Sequence, residues 1–262
     1  MKTVRLGAVD YLNARPLVYG LELHSHRFSL RFDVPSKCAA LLHERSIDVG
    51  MIPSIEYLRG HQSYRLVPDL GIISDGPVAS VAMFTTRPMD RIRTIAADTS
   101  SRTSSGLLQV LCVEAFGVDA EFVPMAPQPD EMLRRCDAAL LIGDTALFLD
   151  HSARGLTKID LGEAWTRLTG LPFVWAFWAG RPDALSSEDV AELIAARNRG
   201  VVASDEIAAE YCGPARASLG QAYLRDNIRY SLGDREQAGL RHFFELALKH
   251  DVVEETRELE WY

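Results

Sequence analysis

Short apolar runs alternate with amphipathic stretches along this chain. Residues 4–9 are almost wholly apolar and predict a buried strand ending at Asp10. A helical pattern follows from Ala14, with Asn13 as its N-cap and Pro16 in its first turn. Residues 30–34 predict a second strand, and Ser36 opens a helix to about Arg45. Residues 47–52 predict a third strand, followed by Pro53-Ser54 and a short helix around Glu56. Strand, helix, strand, helix in this order implies parallel pairing with helices on the sheet faces.

A second series starts after a strong apolar run at 78–85. Strands are expected at 94–97, 121–124 and 138–142, and helices at 106–116 and 127–135, with another after Gly143-Asp144. Gly117 stands where a helix C-terminal glycine belongs. Another strong strand is expected at 172–179. The remainder reads as helices: 187–199 closed by Gly200, 204–211 closed by Gly213, 217–225, and 234–250 opened by Asp234 with Gln237. The pattern predicts an α/β protein of two lobes, residues 1–84 with 179–262 and residues 85–178. The strands at 78–85 and 172–179 are expected to lie side by side as hinges, with a cleft between the lobes. By analogy this is the bilobal, type II periplasmic-binding-protein-like architecture.

Composition narrows the partners. The 262 residues are 47% hydrophobic and 24% charged, ordinary for a globular chain. Lys plus Arg number 28 against 36 Asp plus Glu, a net charge of −8, which argues against nucleic acid. The longest apolar stretch, 172–180, is far short of the roughly 20 residues of a membrane span. Arg5, Asp10, Asn13 and Arg15 interrupt any secretory leader, so a cytoplasmic protein is expected. Cys38, Cys112, Cys136 and Cys212 have no metal or redox spacing, and His24-Ser25-His26 lacks a third ligand. No metal is expected, and no dinucleotide fingerprint, P-loop or serine-nucleophile elbow is present.

Ligands of open parallel sheets bind beyond the carboxyl ends of the strands. Four loops carry small polar residues there: 10–15, 53–56, 98–105 and 143–145. They supply Asn13, Arg15, Ser54, Glu56, Thr99, Ser100, Ser101, Arg102, Thr103, Gly143 and Asp144 as candidates. Segment 98–105 has six hydroxyl residues and one arginine in eight positions. It suits either a carboxylate at a helix N-terminus or an over-capped helix start. Arg15 is either a carboxylate clamp or half of a surface salt bridge.

Five segments together carry a family resemblance. They are Tyr11-Leu12-Asn13-Ala14-Arg15-Pro16-Leu17, the run from Ser74 to Val81 that contains Ser80, Asp98 to Ser104, Leu141-Ile142-Gly143-Asp144, and Thr169 to Val174. In that order and spacing the chain resembles the chorismate dehydratases of the futalosine route to menaquinone. A naphthoate synthase of the same route typically opens with Ser-Pro-Cys-Pro-Asn-Asp, where this chain has Tyr11 to Pro16. The resemblance implies conversion of chorismate to 3-[(1-carboxyvinyl)oxy]benzoate and water, with no cofactor. With that reaction, the candidates above and Ser80 are expected to bind the substrate, with Asn13 and Asp144 as the catalytic candidates. Asp144, Glu56, Asp10 or a carboxylate of the substrate itself remain open as the base. A naphthoate synthase-like enzyme and a non-catalytic binder of a small carboxylate are the alternatives; the oligomeric state is left open.

Overall fold

The computed structural model describes residues 3–60 and 62–262. Among these residues ten strands form two five-stranded sheets. The first sheet contains β1 (Val4–Val9), β2 (Phe28–Asp33), β3 (Val49–Pro53), β4 (Arg65–Ser74) and β10 (Phe173–Gly180), in the order β2-β1-β3-β10-β4. The second contains β5 (Val81–Thr85), β6 (Thr94–Asp98), β7 (Glu121–Met125), β8 (Ala138–Ile142) and β9 (Thr157–Asp160), in the order β7-β6-β8-β5-β9. Both follow one plan. Three parallel strands lie together, and a fourth runs antiparallel beside them: β10 against β3 and β4, β5 against β8 and β9.

That plan corrects the expected hinge. The strands at 78–85 and 172–179 are not neighbours; each joins the sheet the chain has just entered. All five residues of β5 and all eight of β10 are buried. A strand buried throughout needs ladder partners on both edges as well as apolar cover. The strand at 81–85 therefore sits in the second sheet, and the one at 173–180 in the first, whereas the expected lobe boundaries fell at 84/85 and 178/179.

The helices in chain order are α1 (Pro35–His43), α2 (Glu56–Arg59), α3 (Arg102–Leu111), α4 (Pro129–Arg135), α5 (Gly143–Phe148), α6 (Leu161–Thr169), α7 (Ser187–Val202), α8 (Ser204–Cys212), α9 (Ala217–Ala222) and α10 (Asp234–Lys249). Residues Leu12–Val18 form a 3-10 helix whose N-cap is Tyr11, so Asn13 lies inside it rather than capping it. Helix α3 starts four residues earlier than expected, which puts Thr103, Ser104 and Ser105 in its first turn. Gly117 ends the following π-turn in left-handed geometry, as expected. Gly200 does not stop α7. The helix runs through it to Val202, because a Cβ there would lie 2.1 Å from the Pro16 carbonyl oxygen. At α10 the N-cap is Gly233, whose N–H donates to Glu236 Oε2 at 3.0 Å, in place of the expected Asp234–Gln237 pair. Among the described residues no helix is long and apolar enough to cross a membrane.

Candidate active site

A cleft of about 500 Å³, its mouth included, is lined from both sheets. Its walls are mostly apolar: Val9, Pro53, Ile72, Trp175 and Ala176 on one side, Val78, Val81 and Ile142 on the other. The polar lining is Tyr11, Asn13, Ser80, Ser101, Thr103 and Ser104, with the Gly143 backbone. The structure thus brings five expected residues together here: Asn13, Ser80, Ser101, Thr103 and Gly143.

The loop after β6 is organised by Asp98, which is 2% exposed. Its Oδ1 accepts the Ser100 N–H at 2.8 Å and the Ser100 hydroxyl at 2.6 Å. Burial pushes the Asp98 carboxyl upward, and the bonds from Ser100 work against that push. Both Ser100 donors are therefore committed inside the loop. Ser101 occupies the N-cap position of α3 but makes no side-chain cap bond. Its hydroxyl makes no hydrogen bond within the described residues and lines the cleft. The first turn of α3 carries no acidic residue of its own, and Ser101, Thr103 and Ser104 at this end of the helix line the cleft.

Thr103 ties the two lobes together. Its hydroxyl oxygen accepts the Ile55 N–H at 3.2 Å and lies 3.4 Å from Ser54 Oγ. Ser54 itself is fully buried behind the lining. Gly143 adopts φ +58°, and a Cβ there would lie 2.9 Å from the Tyr11 ring. Only glycine allows the two loops to meet this closely across the cleft. Burial pushes the Tyr11 phenol above its ordinary range, with the neighbouring Ser100 side chain working against it.

The other expected residues lie elsewhere. Glu56 is buried beneath the α3 start and pairs with Arg102 at 2.6 Å, His43 at 3.3 Å and Arg59 at 3.4 Å. Arg102 is thus spent on an ion pair. Asp144 lies outside the lining. Its Oδ2 accepts the Tyr211 hydroxyl at 2.5 Å and its Oδ1 the Leu12 N–H at 3.4 Å, so it clasps α5 to the opposite lobe. Arg15 pairs with Asp10 and lies over the rings of Phe32 at 4.6 Å and Tyr211 at 5.1 Å, in a different groove. This is the salt-bridge alternative for Arg15. Thr99 is exposed and donates its N–H to the Met125 carbonyl at 3.1 Å.

Sequence reading missed Tyr11 and Trp175 as lining residues, and Tyr223 behind Ser80. The Trp175 indole N–H donates to Ser74 Oγ at 3.1 Å while the ring walls the cleft. Tyr11 stands inside a recognised segment, and that adjacency was the available signal. Among the described residues no three His, Cys, Asp or Glu side chains gather as a metal site.

Residues 4–249 match a family described as menaquinone biosynthesis. The chain belongs to that family. A chorismate dehydratase from Thermus thermophilus is 31% identical over 268 residues, covering 94% of this chain and 95% of the relative. A chorismate dehydratase from Campylobacter jejuni is 31% identical over 65% of this chain and 64% of its own. Among solved structures, a protein from Archaeoglobus fulgidus superposes with a TM-score of 0.76 at 19% identity, covering 96% of this chain and 98% of that one. The periplasmic aliphatic sulphonate binding protein from Escherichia coli gives 0.68 at 16% identity, covering 100% and 96%. These likenesses show the bilobal binding-protein fold that the two sheets build.

Proposed function

We propose that this protein is a chorismate dehydratase, converting chorismate to 3-[(1-carboxyvinyl)oxy]benzoate and water. The observation that carries the reading is the convergence of polar groups from both lobes on one mostly apolar cleft. Ser101, Thr103 and Ser104 line it from the start of α3, Asn13 lines it from the loop after β1, and Ser80 lines it from the connection between β4 and β5. A small dianion with two carboxylates fits that arrangement, and the named relatives support the particular substrate.

The lining also bears on the base. No Asp, Glu, His, Lys or Arg side chain lines the cleft among the described residues. Tyr11 is the titratable group facing it, and burial holds its proton more firmly than usual. A carboxylate of the substrate is then the base within reach. It takes the ring proton beside the enolpyruvyl ether, and negative charge builds on the ring carboxylate. Donors at the α3 N-terminus stabilise that charge as an oxyanion hole does. The neighbouring hydroxyl leaves and collects the proton as water, and the ring becomes aromatic. Asn13 orients that hydroxyl. The reading places the reaction in the futalosine route and in the cytoplasm, supported by the resemblance of the five segments.

Incubation with chorismate and chromatographic detection of the aromatic product tests the activity. Asn13→Ala should cut turnover by at least about tenfold, the scale of one lost buried hydrogen bond. Arg15→Ala should retain turnover, because Arg15 lies outside the cleft. Tight binding of chorismate without conversion would instead indicate a binding protein.

A further inference from the structure

We propose that Lys158 and Asp160 are positioning residues: they hold a strained turn at Ala79 that aims Ser80 into the cleft. The inference rests on the proposed dehydratase reading for its kinetic arm alone. Ser80 stands on the connection between β4 and β5, where the chain crosses from one sheet to the other. Ala79 there has φ +62°, in the left-handed region that a residue with a Cβ avoids. The Ser80 N–H donates to the Val78 carbonyl at 2.7 Å. A bond that spans one residue with a positive φ makes a γ-turn of the rare, strained kind. An extended chain would send Ser80 and Val81 to opposite faces. With the turn in place, Val78, Ser80 and Val81 all line the cleft.

The groups that keep Ala79 in this conformation come from one strand. Lys158 and Asp160 stand two apart on β9, so their side chains leave the same face. The Asp160 carboxylate accepts the Val78 N–H at 3.0 Å and the Ala79 N–H at 2.7 Å. Lys158 Nζ donates to the Ala79 carbonyl at 2.6 Å. A peptide unit is planar, so the Asp160 bonds fix the plane before the Ala79 Cα and the Lys158 bond fixes the plane after it. Both soft dihedrals of Ala79 are thereby set. The half-buried ammonium of Lys158 is spent on that carbonyl, where a cation so placed ordinarily takes a carboxylate. Strained backbone persists only where its surroundings hold it, and it gathers at functional places.

The rest of the crossover is anchored as well. The Gly76 N–H donates to Thr166 Oγ1 at 3.0 Å, and Asn227 Nδ2 donates to the Pro77 carbonyl at 2.9 Å. Freedom left to the segment is therefore concentrated at Ala79, one residue before the cleft. With Lys158 gone, Ala79 can relax toward a negative φ and carry Ser80 away from its place. A glycine at position 79 accepts the positive φ without strain, so the turn should then stand without Lys158. Asp160 also caps α6 by accepting the Glu163 N–H at 3.0 Å, which makes Lys158 the cleaner residue to change.

Lys158→Met keeps the stem and removes the ammonium. With chorismate, kcat/KM should fall by about tenfold. Made in Ala79→Gly, the same change should cost less than about threefold, because the turn no longer needs holding. Made in Ser80→Ala it should also cost less than about threefold, because the residue it positions is gone. A residue that only held the fold together would cost the same in all three backgrounds. The readout that does not depend on turnover is the Ser80 backbone amide in protein carrying isotope-labelled serine, identified by its disappearance in Ser80→Ala. Lys158→Met should shift that signal and speed its hydrogen exchange. Adding Lys158→Met to Ala79→Gly should leave the signal where Ala79→Gly alone puts it. An unmoved Ser80 amide in Lys158→Met, or a tenfold loss that persists in every background, overturns the proposal. If the parent protein does not convert chorismate, the dehydratase reading fails, and the Ser80 amide decides the positioning role by itself. If Lys158→Met does not fold, Ala79→Val takes its place: a β-branched residue raises the strain at this φ with Lys158 still present. Ala79→Val should displace the Ser80 amide, and a parent-like signal would overturn the proposal.

Discussion

Arg102 Nη1 and Glu56 Oε2 stand 2.6 Å apart, with the Glu56 side chain 1% exposed, so the first turn of α3 is charge-paired to α2 in the opposite lobe. Burial pushes the Glu56 carboxyl upward, but hydrogen bonding from His43 and the charges of Arg102 and Arg59 outweigh it. The net result is a carboxyl held below its ordinary value of about 4.3. A depressed folded value adds stability that is fully present above the ordinary value and is lost as pH falls through the folded one. Glu56→Gln should lower the melting temperature at neutral pH, by the equivalent of about 1–3 kcal/mol. Its further loss on acidification from about pH 5 to about pH 3 should be shallower than the parent's. Thermal melts across that range check both.

Adjacent serines should behave differently. Ser101 keeps a free hydroxyl at the cleft, whereas Ser100 is bound twice to Asp98. Ser101→Ala should weaken product binding about tenfold, or about 1.4 kcal/mol, with little change in melting temperature. Ser100→Ala should instead lower the melting temperature by leaving a buried carboxyl oxygen short of a donor. Calorimetric titration and melting of the two variants separate the roles.

Gly143→Ala tests the approach of the two lobes. The residue has φ +58°, and the added methyl would meet the Tyr11 ring at 2.9 Å. The left-handed backbone alone costs about 1–2 kcal/mol for a residue with a Cβ. The clash falls on the loop contact that closes the cleft, so affinity should drop further than stability does. Binding titration set against denaturant melts measures the two effects.

Asp144 accepts Tyr211 at 2.5 Å and lies off the cleft lining. Burial pushes its carboxyl upward, against hydrogen bonds from Tyr211 and Leu12. A raised folded value makes the ionised carboxyl destabilising, so folding stability falls as pH rises through that value. Asp144→Asn should therefore flatten this part of the stability profile. It should raise KM by several-fold through a looser clasp while kcat stays within about threefold of the parent. Loss of kcat by orders of magnitude would return Asp144 to the role of base.

Most strands were legible because an unbroken apolar run needs no tertiary information. The expected strand at 138–142 coincides with β8, and 4–9 with β1. Strand β4 escaped notice because Pro68-Asp69 interrupts its run; Asp69 takes φ +58° there, and the strand continues past it to Ser74. Gly200 misleads for a different reason. A glycine that ends a helix and one that lets Pro16 approach it look alike in a sequence, and only the neighbouring backbone distinguishes them.

The candidate site divides in the same way. Sequence by itself determined the α/β class, the hydroxyl-dense segment before α3 and the polar turns after β1, β3, β6 and β8, since these depend on neighbours along the chain. Which of those polar groups remain free was decided by the tertiary structure. Glu56 consumes Arg102, Asp10 consumes Arg15, and Tyr211 draws Asp144 away from the lining. Tyr223, 143 residues from Ser80, carried no mark of its place at the cleft. A buried donor or acceptor must find a partner wherever the fold supplies one, so its availability is set by proximity in space and not by position along the chain.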